Sequence, residues 1–210
     1  MPSIDHLVYA SPDLDEGVRR VEELTGVMAV PGGAHPGLGT HNALLAFDSS
    51  TYFEIIGIDR AQPEPAWGRA FGLREDTIPG LVAYAIHPVG GESLEDVVSV
   101  MRSLGFDPGG TAPMSRDTAD GERISWRLTL PEDPAASADG ALPFVIDWGE
   151  TANPAGSLPS MGDLDLFRVD HPDAGVRAVV TGLGLGVELG AGPVGLEAVV
   201  DTPAGRVEIC

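Results

Sequence analysis

Apolar residues recur with two different periods at the start of the chain, and each period predicts one element. The segment SIDHLVYA, residues 3–10, is short, rich in strand formers and followed by the turn signal SPD, which predicts a strand. The next segment, 13–26, carries four aliphatic residues on one helical stripe: Leu14, Val18, Val21 and Leu24. It predicts an amphipathic helix, with Asp13 and Glu16 spaced as a capping pair and Gly26 as a stop.

Three strand-like runs complete the first unit. They are the weak run VMAV at 27–30, then NALLAFD at 42–48 and TYFEIIGID at 51–59. Between the first two lies the glycine-rich stretch GGAHPGLGTHN, 32–42, which we interpret as a loop that leads into the next strand and borders a pocket. Residues 1–60 therefore predict a βαβββ module.

The same order of elements returns further along the chain. LVAYAIHP predicts a strand, and SLEDVVSVMRSLG predicts a helix whose apolar positions repeat those of the first at an offset of 80, as in Leu14 and Leu94. ISWRLTL and PFVIDWG predict two more strands, the former entered through the turn signal Asp120-Gly121. A second βαβββ module is expected at 80–150.

A compressed third copy is expected at 163–210, after a Pro, Gly and Ser-rich linker at 149–163. It combines DLDLFRV, a weak helix at HPDAGVRAVVTGLG, and the strands GVELG, GLEAVVD and GRVEI. Tandem units of this kind indicate an α+β fold with curled mixed sheets packed side by side. Their concave face is a natural place for a small-molecule pocket.

Every basic residue is an arginine, because the chain contains no lysine. This excludes Schiff-base lysines, pyridoxal phosphate anchors and the P-loop. GLGTHN also differs from G-x-G-x-x-G, so no nucleotide cofactor is expected. The formal charge of −20 at pH 7 repels polyphosphate backbones and anionic lipid, so neither nucleic acid nor a membrane is an expected partner.

The expected location is cytoplasmic. The first residues, MPSIDHLVYA, do not form a signal-peptide pattern, and no window approaches the roughly 18 apolar residues of a membrane span. Cys210 is the only cysteine, which is compatible with a reducing compartment.

Several of these segments together resemble a known superfamily. Paired βαβββ modules that open with IDHLVYASPDL, with YFEIIG closing the first, resemble the vicinal oxygen chelate superfamily, which contains glyoxalase I, bleomycin-resistance proteins and extradiol dioxygenases. More narrowly, GGAHPGLGTHNALL with TYFEII, then R…DG…SWR from Arg116 to Arg127 and PFVIDW, is similar to the glyoxalase-like domain proteins. The resemblance covers essentially the whole chain.

The resemblance implies a divalent metal on His6 and Glu54, because metal-using members of the superfamily take ligands from the first and fourth strands of each module. Imidazole and carboxylate ligands suit zinc, iron, nickel, manganese or cobalt, and do not choose among them. Strand alternation places Ile4 and Val8 on the same face as His6. Glu54 is also the expected catalytic residue.

The second module departs from this pattern. Ala83 falls at the position that matches His6 and offers no ligand atom, and His87 lies four residues later. Asp147 is one residue out of the register that matches Glu54. A four-ligand site is therefore incomplete, although three protein ligands and an open position can suffice for a catalytic metal.

Six further residues are candidates for ligand binding: His35, His41, Asn42, Arg116, Trp126 and Trp148. Each histidine either bonds the loop backbone or faces the ligand, with His41 the stronger candidate for the second role. Arg116 either pairs with a surface carboxylate or holds a carboxylate or phosphate of the ligand. The tryptophans are core residues or pocket wall.

Two functions remain open at this point. The first is an enzyme of lyase, isomerase or hydrolase type in which the metal and Glu54 act on a small oxygenated substrate. The second is a metal-free binding protein that holds an aromatic or anionic ligand, as resistance-type relatives do. The odd third module must cover an existing sheet or pair with its copy in another subunit, so a homodimer is an expected partner arrangement.

Overall fold

The first repeat forms the predicted βαβββ unit. In the computed structural model, which describes residues 1–117, 123–131 and 137–210, its elements follow in this order: β1 (Ser3–Ala10), α1 (Leu14–Thr25), β2 (Val30–His35), β3 (Thr40–Ala46) and β4 (Tyr52–Ile58). The Asp13 carboxylate caps α1 by accepting from the Glu16 N–H, and Gly26 ends it with a positive φ of 74°. The capping residues therefore set both ends of this helix.

The glycine-rich stretch is a hairpin, which corrects two expectations. VMAV contributes only its last residue, Val30, to a strand, and β2 instead runs through the glycines to His35, pairing antiparallel with β3. The turn uses Gly37 and Gly39 at φ values of 79° and 68°, which favour glycine. The expectation of a loop is wrong, because Gly32 and Gly33, although glycine is depleted in strands, lie inside β2.

The second repeat contains the expected number of strands, including β6, whose position the sequence pattern did not indicate. Its elements are β5 (Gly80–His87), α2 (Leu94–Ser103), β6 (Gly110–Asp117), β7 (Arg123–Leu130) and β8 (Phe144–Asp147). β6 contains Pro113, which lacks the N–H that a central strand needs, and it lies at the edge of the sheet where proline is tolerated. The turn signal Asp120-Gly121 lies outside the described residues.

Both repeats share one curled sheet of eight strands in the order β2-β3-β4-β1-β5-β8-β7-β6. They join where β1 and β5 pair antiparallel. Curling brings the two edge strands together, and the Arg116 guanidinium of β6 donates a hydrogen bond to the Gly32 carbonyl of β2. The sheet is thus an incompletely closed barrel with a concave inner face, in agreement with the predicted fold class.

The third repeat covers the outer face of this sheet. It comprises β9 (Asp163–Asp170), α3 (Ala174–Leu183), β10 (Glu188–Gly190), β11 (Gly195–Thr202) and β12 (Gly205–Ile209), with a second sheet ordered β10-β9-β11-β12. Phe167 of β9 contacts Tyr84 of β5 edge-on, with ring centroids 5.0 Å apart. One hydrophobic core joins all three repeats on the side opposite His6 and Glu54.

This packing corresponds to the first of the two roles expected for the odd module, and the homodimer stays a prediction. Within the described parts of the chain, the helices are all too short or too polar to cross a lipid bilayer.

Candidate functional site

A bulge in β1 sets the position of the site. The register between β1 and β5 shifts between Ile4 and His6, so Asp5 is the extra residue. Strict alternation places Ile4 on the face of His6, but Ile4 instead packs against the main core. The bulge allows Asp5 and His6, both almost fully buried, to act as one polar pair.

Asp5 is the most heavily bonded side chain of the site. Its Oδ1 accepts from Nδ1 of His6 at 2.7 Å, and its Oδ2 accepts from the Trp148 indole N–H at 3.1 Å and the Asn153 amide at 3.0 Å. His87 Nδ1 lies 3.1 Å from Oδ2 without the geometry of a hydrogen bond. Burial raises the pKa of Asp5, but His6 and His87 outweigh it and hold the pKa below its ordinary value.

Sequence reasoning missed Asp5, Asn153 and the role of His87. The available signal for Asp5 was a carboxylate inside an apolar strand and next to a histidine, where it needs a partner. Asn153 lies in the stretch 149–163 that was expected to be only a linker. It caps the 3-10 turn Pro154–Ser157 and reaches Asp5 from there.

Glu54 lies at the centre of the polar cluster. Its Oε1 accepts from the Asn42 amide at 2.6 Å. Nε2 of His6 lies 3.5 Å from its Oε2, and Nε2 of His35 lies 3.5 Å from its Oε1. The structure thus brings together four of the residues that the sequence selected, and Glu54 is only 7% exposed.

The two histidines of the hairpin take different positions. His35 at the end of β2 contacts Thr40 Oγ1 through Nδ1 at 2.9 Å and turns Nε2 to Glu54. Burial lowers the pKa of His35 more than the Glu54 carboxylate raises it, so this imidazole is neutral at pH 7. His41 precedes Asn42 on β3 and, because side chains alternate, is directed to the other face, outside the chamber.

The second repeat supplies one cation and most of the aromatic wall. Arg116 is half-buried; burial lowers its pKa while Tyr52 and Glu54 raise it, and it remains protonated at neutral pH. The rings of Trp126 and Trp148 lie 5.5 Å apart, at an angle of 45°. His6 stacks on Tyr52 at 4.4 Å.

These residues line a chamber of about 80 Å³ on the concave face, which we call the inner chamber. From the second repeat its walls take Phe144 and Ile146 of β8, whereas Asp147, which follows Ile146, is not part of the lining. Ala83 pairs with Val8 across the sheet and carries no ligand atom. The chemistry of the inner chamber therefore comes from the first repeat and Arg116.

His6 and Glu54 carry the types of donor atom that a metal site uses, but they are too few to form a complete site. The hydrogen bond from Nδ1 of His6 to Asp5 leaves Nε2 facing Glu54, as is common for metal-binding histidines. Asn42 Oδ1 is buried without a hydrogen-bond partner and is a further oxygen nearby. However, in the described part of the chain no group of three or more His, Cys, Asp or Glu side chains is arranged to hold a metal ion.

Among the solved structures compared with this chain, one of those described below, with a TM-score above 0.5, supports the fold. A hypothetical protein from Staphylococcus aureus superposes with a TM-score of 0.62 at 16% identity, over 99% of this chain and 84% of that one. Methylmalonyl-CoA epimerase from Mycobacterium tuberculosis gives 0.43 at 18% identity, over 70% and 87%. The Streptomyces coelicolor epimerase, in complex with 2-nitronate-propionyl-CoA, gives 0.43 at 18%, over 68% and 94%.

None of the curated proteins compared with this chain matches it. The family model described as "Glyoxalase-like domain" matches residues 4–186, which is most of the sequence and includes every residue of the inner chamber. The family resemblance found in the sequence is thereby confirmed, and the chain belongs to the glyoxalase-like domain family.

Proposed function

We propose that the protein binds a small oxygenated or carboxylate-bearing molecule in the inner chamber and moves a proton at it through Glu54. The supporting observation is a carboxylate withdrawn from water, with Asn42 and two imidazoles around it and apolar walls beyond. Removing a carboxylate from water is costly, and such groups in clefts are candidates for functional sites.

Four polar side chains have a role in this reaction. Glu54 takes a proton from a C–H beside a carbonyl, and the electron pair of the broken bond moves onto the carbonyl oxygen. Arg116 stabilises that negative oxygen or holds a ligand carboxylate. Nε2 of His6, 3.5 Å from Oε2 of Glu54, is placed to exchange the proton with Glu54, and Asp5 fixes the ring.

A divalent metal on His6 and Glu54 is a second candidate feature. The Asp5 contact to His6 favours it, because a carboxylate on the far nitrogen is typical of metal-bound histidine. When bound, the metal would supply Lewis-acid stabilisation of a substrate oxygen. Water or substrate would have to provide the remaining ligands, since these two residues supply only two.

Hydroxyacetone tests the proposal, because it is small, oxygenated and carries acidic C–H groups. We expect the wild-type protein to accelerate exchange of its hydroxymethyl protons in D2O, followed by proton NMR. Glu54→Gln removes the base while keeping the shape, and should reduce the rate by about a hundredfold or more. His41→Ala, outside the inner chamber, is the matched control and should keep the wild-type rate.

Metal content separates the remaining alternatives. Protein purified without an affinity tag is analysed for divalent metals beside His6→Ala and Glu54→Ala. Stoichiometric metal that is lost in both variants supports the metal-dependent form. Binding of hydroxyacetone by calorimetry without any accelerated exchange would overturn proton transfer and leave the metal-free binding protein.

A further inference from the structure

The inner chamber continues into a much larger groove, which we call the outer groove. The outer groove has a volume of about 1140 Å³ and lies between β6, β7 and the segment 147–158. Six residues line both spaces and form the neck between them: Leu44, Met114, Arg116, Trp126, Trp148 and Pro154. A molecule seated in the inner chamber therefore has a direct path outward.

The two spaces differ in size by more than a factor of ten. Ligand pockets commonly have volumes of roughly 300–1,000 Å³. The inner chamber, at about 80 Å³, holds only a few water-sized groups, whereas the outer groove is as large as a complete ligand site. A ligand confined to the inner chamber would be very small, and no part of it would contact the outer groove.

The two spaces also differ in chemistry. The inner chamber contains the carboxylate of Glu54 and the imidazoles around it. On the concave face, the outer groove adds two apolar residues. Ile124 lies two residues before Trp126 on β7 and therefore on the same face, and Leu158 lies in the segment that follows Trp148. The lining of the groove also includes polar and charged side chains, among them Arg116 and Glu150, and its aromatic part is the neck, where the two tilted indoles can contact a flat ring.

We propose that the natural ligand has two parts: a small oxygenated or carboxylate head in the inner chamber, and an aromatic tail that lies in the outer groove against Trp126 and Trp148. This inference rests on the proposed function, because it assigns the head to the Glu54 chamber. It narrows the ligand class from small polar molecules to aromatic compounds that carry a short oxygenated arm.

Three ketols test the tail. Hydroxyacetone is the head alone, 1-hydroxy-4-phenylbutan-2-one carries an aromatic tail, and 1-hydroxyheptan-2-one carries an aliphatic tail. We expect the phenyl compound to bind the wild-type protein about tenfold or more tighter than hydroxyacetone in calorimetric titrations, because a buried ring adds apolar contact. The aliphatic compound should gain less than the phenyl compound.

Ile124→Asn makes the groove wall polar at a residue that is not part of the inner-chamber lining. In this variant the phenyl compound should lose its advantage and bind within about threefold of hydroxyacetone. A circular dichroism melt of Ile124→Asn, with Ile124→Val as the matched variant that keeps the apolar wall, verifies folding. Ile124→Val should retain the preference.

The outcomes distinguish the two proposals. Equal binding of the phenyl compound and hydroxyacetone overturns the two-part ligand and leaves the chamber proposal standing. Equal gains from aliphatic and phenyl tails overturn the aromatic assignment. Tight phenyl binding without proton exchange supports the tail and overturns the role of Glu54. Failure of all three ketols to bind overturns both.

Discussion

The two halves of the eight-stranded sheet have the same order of elements but opposite chemical content. The first repeat contributes Asp5, His6, His35, Asn42 and Glu54, which are all polar and mostly buried. The second repeat places Ala83, Phe144 and Ile146 along the corresponding strands and adds Arg116 at the edge. One half therefore carries most of the chemistry, and the other half shapes the space around it.

The comparison also shows where burial of charge is tolerated. Asp5 lies at the seam between the repeats, where β1 and β5 meet, and receives contacts from both of them and from the segment after β8. A carboxylate that is fully buried costs little only when it is fully bonded. The seam provides this bonding, which a single repeat does not.

The largest expected effect is on stability when Asp5 is removed. Asp5→Ala leaves His6, Trp148 and Asn153 without their shared acceptor, so the free energy of unfolding should fall by about 3–5 kcal/mol. Trp148→Phe removes only one donor and should cost about 1 kcal/mol from that bond. Urea denaturation measures both. Equal losses in the two variants would contradict the central role of Asp5.

A metal-coordinating side chain introduced into the second repeat should reduce the chemical difference between the two halves of the sheet. The Phe144 ring lies 5.4 Å from the His6 ring, a separation that suits two imidazoles on one metal ion. The Zn²⁺ affinity of Phe144→His, measured by calorimetry, should therefore be at least about tenfold higher than that of the wild type. Phe144→Leu removes the same ring without adding a ligand and is the control. A gain in Phe144→Leu would show that opening the wall, rather than a new ligand, raises the affinity.

Proton exchange should be more sensitive to an added methyl group in the first repeat than to one on the β6 edge of the second repeat. A Cβ at Gly32 would lie 2.1 Å from Asn42 Oδ1, so Gly32→Ala must displace the amide that holds Glu54. Hydroxyacetone exchange should fall about three- to tenfold, since one hydrogen bond of about 1 kcal/mol is weakened. Gly110→Ala on β6 meets nothing within 4 Å and is the matched control. Equal rates in wild type and Gly32→Ala would contradict the positioning role of Asn42.

The smallest expected effect is a pH dependence. The pKa of His35 is lowered in the folded protein. At a pH below the ordinary histidine pKa of about 6.5, the unfolded chain therefore binds more protons at His35 than the folded protein does. Stability should therefore decrease as the pH falls from about 6.5 toward that lowered pKa. His35→Gln should show a shallower decrease than the wild type in urea titrations across this range. Parallel curves for the two proteins would contradict the assignment.

The sequence was sufficient for the helices, including one with a weak local signal. α1 has its cap at Asp13 and its stop at Gly26, and the third helix, interrupted by Gly175 and Gly182, still forms over Ala174–Leu183. β6 has a weak local signal, because Pro113 is atypical of a central strand and the place of β6 at the edge depends on the whole sheet. Local sequence patterns therefore predict the positions of helices better than those of edge strands.

The site could be predicted only in part. His6 and Glu54 were selected through the family resemblance, and they do lie 3.5 Å apart. His41 begins a strand-like run and was the stronger candidate in the sequence, but alternation along β3 directs it away from the inner chamber, whereas the hairpin brings His35 to Glu54. Asp5 depends on a bulge, and Asn153 on a turn that folds back across the chain; neither has a periodic signal.

The two edge strands that meet at Arg116 and Gly32 each contain one proline, Pro31 in β2 and Pro113 in β6. A proline nitrogen cannot donate to a further strand, so each rim of the sheet is interrupted in its hydrogen-bonding ladder. A second copy of the chain cannot simply extend the sheet at these rims. The eight-stranded sheet is thereby protected from extension at these two rims, whereas the edge strands β10 and β12 of the second sheet contain no proline.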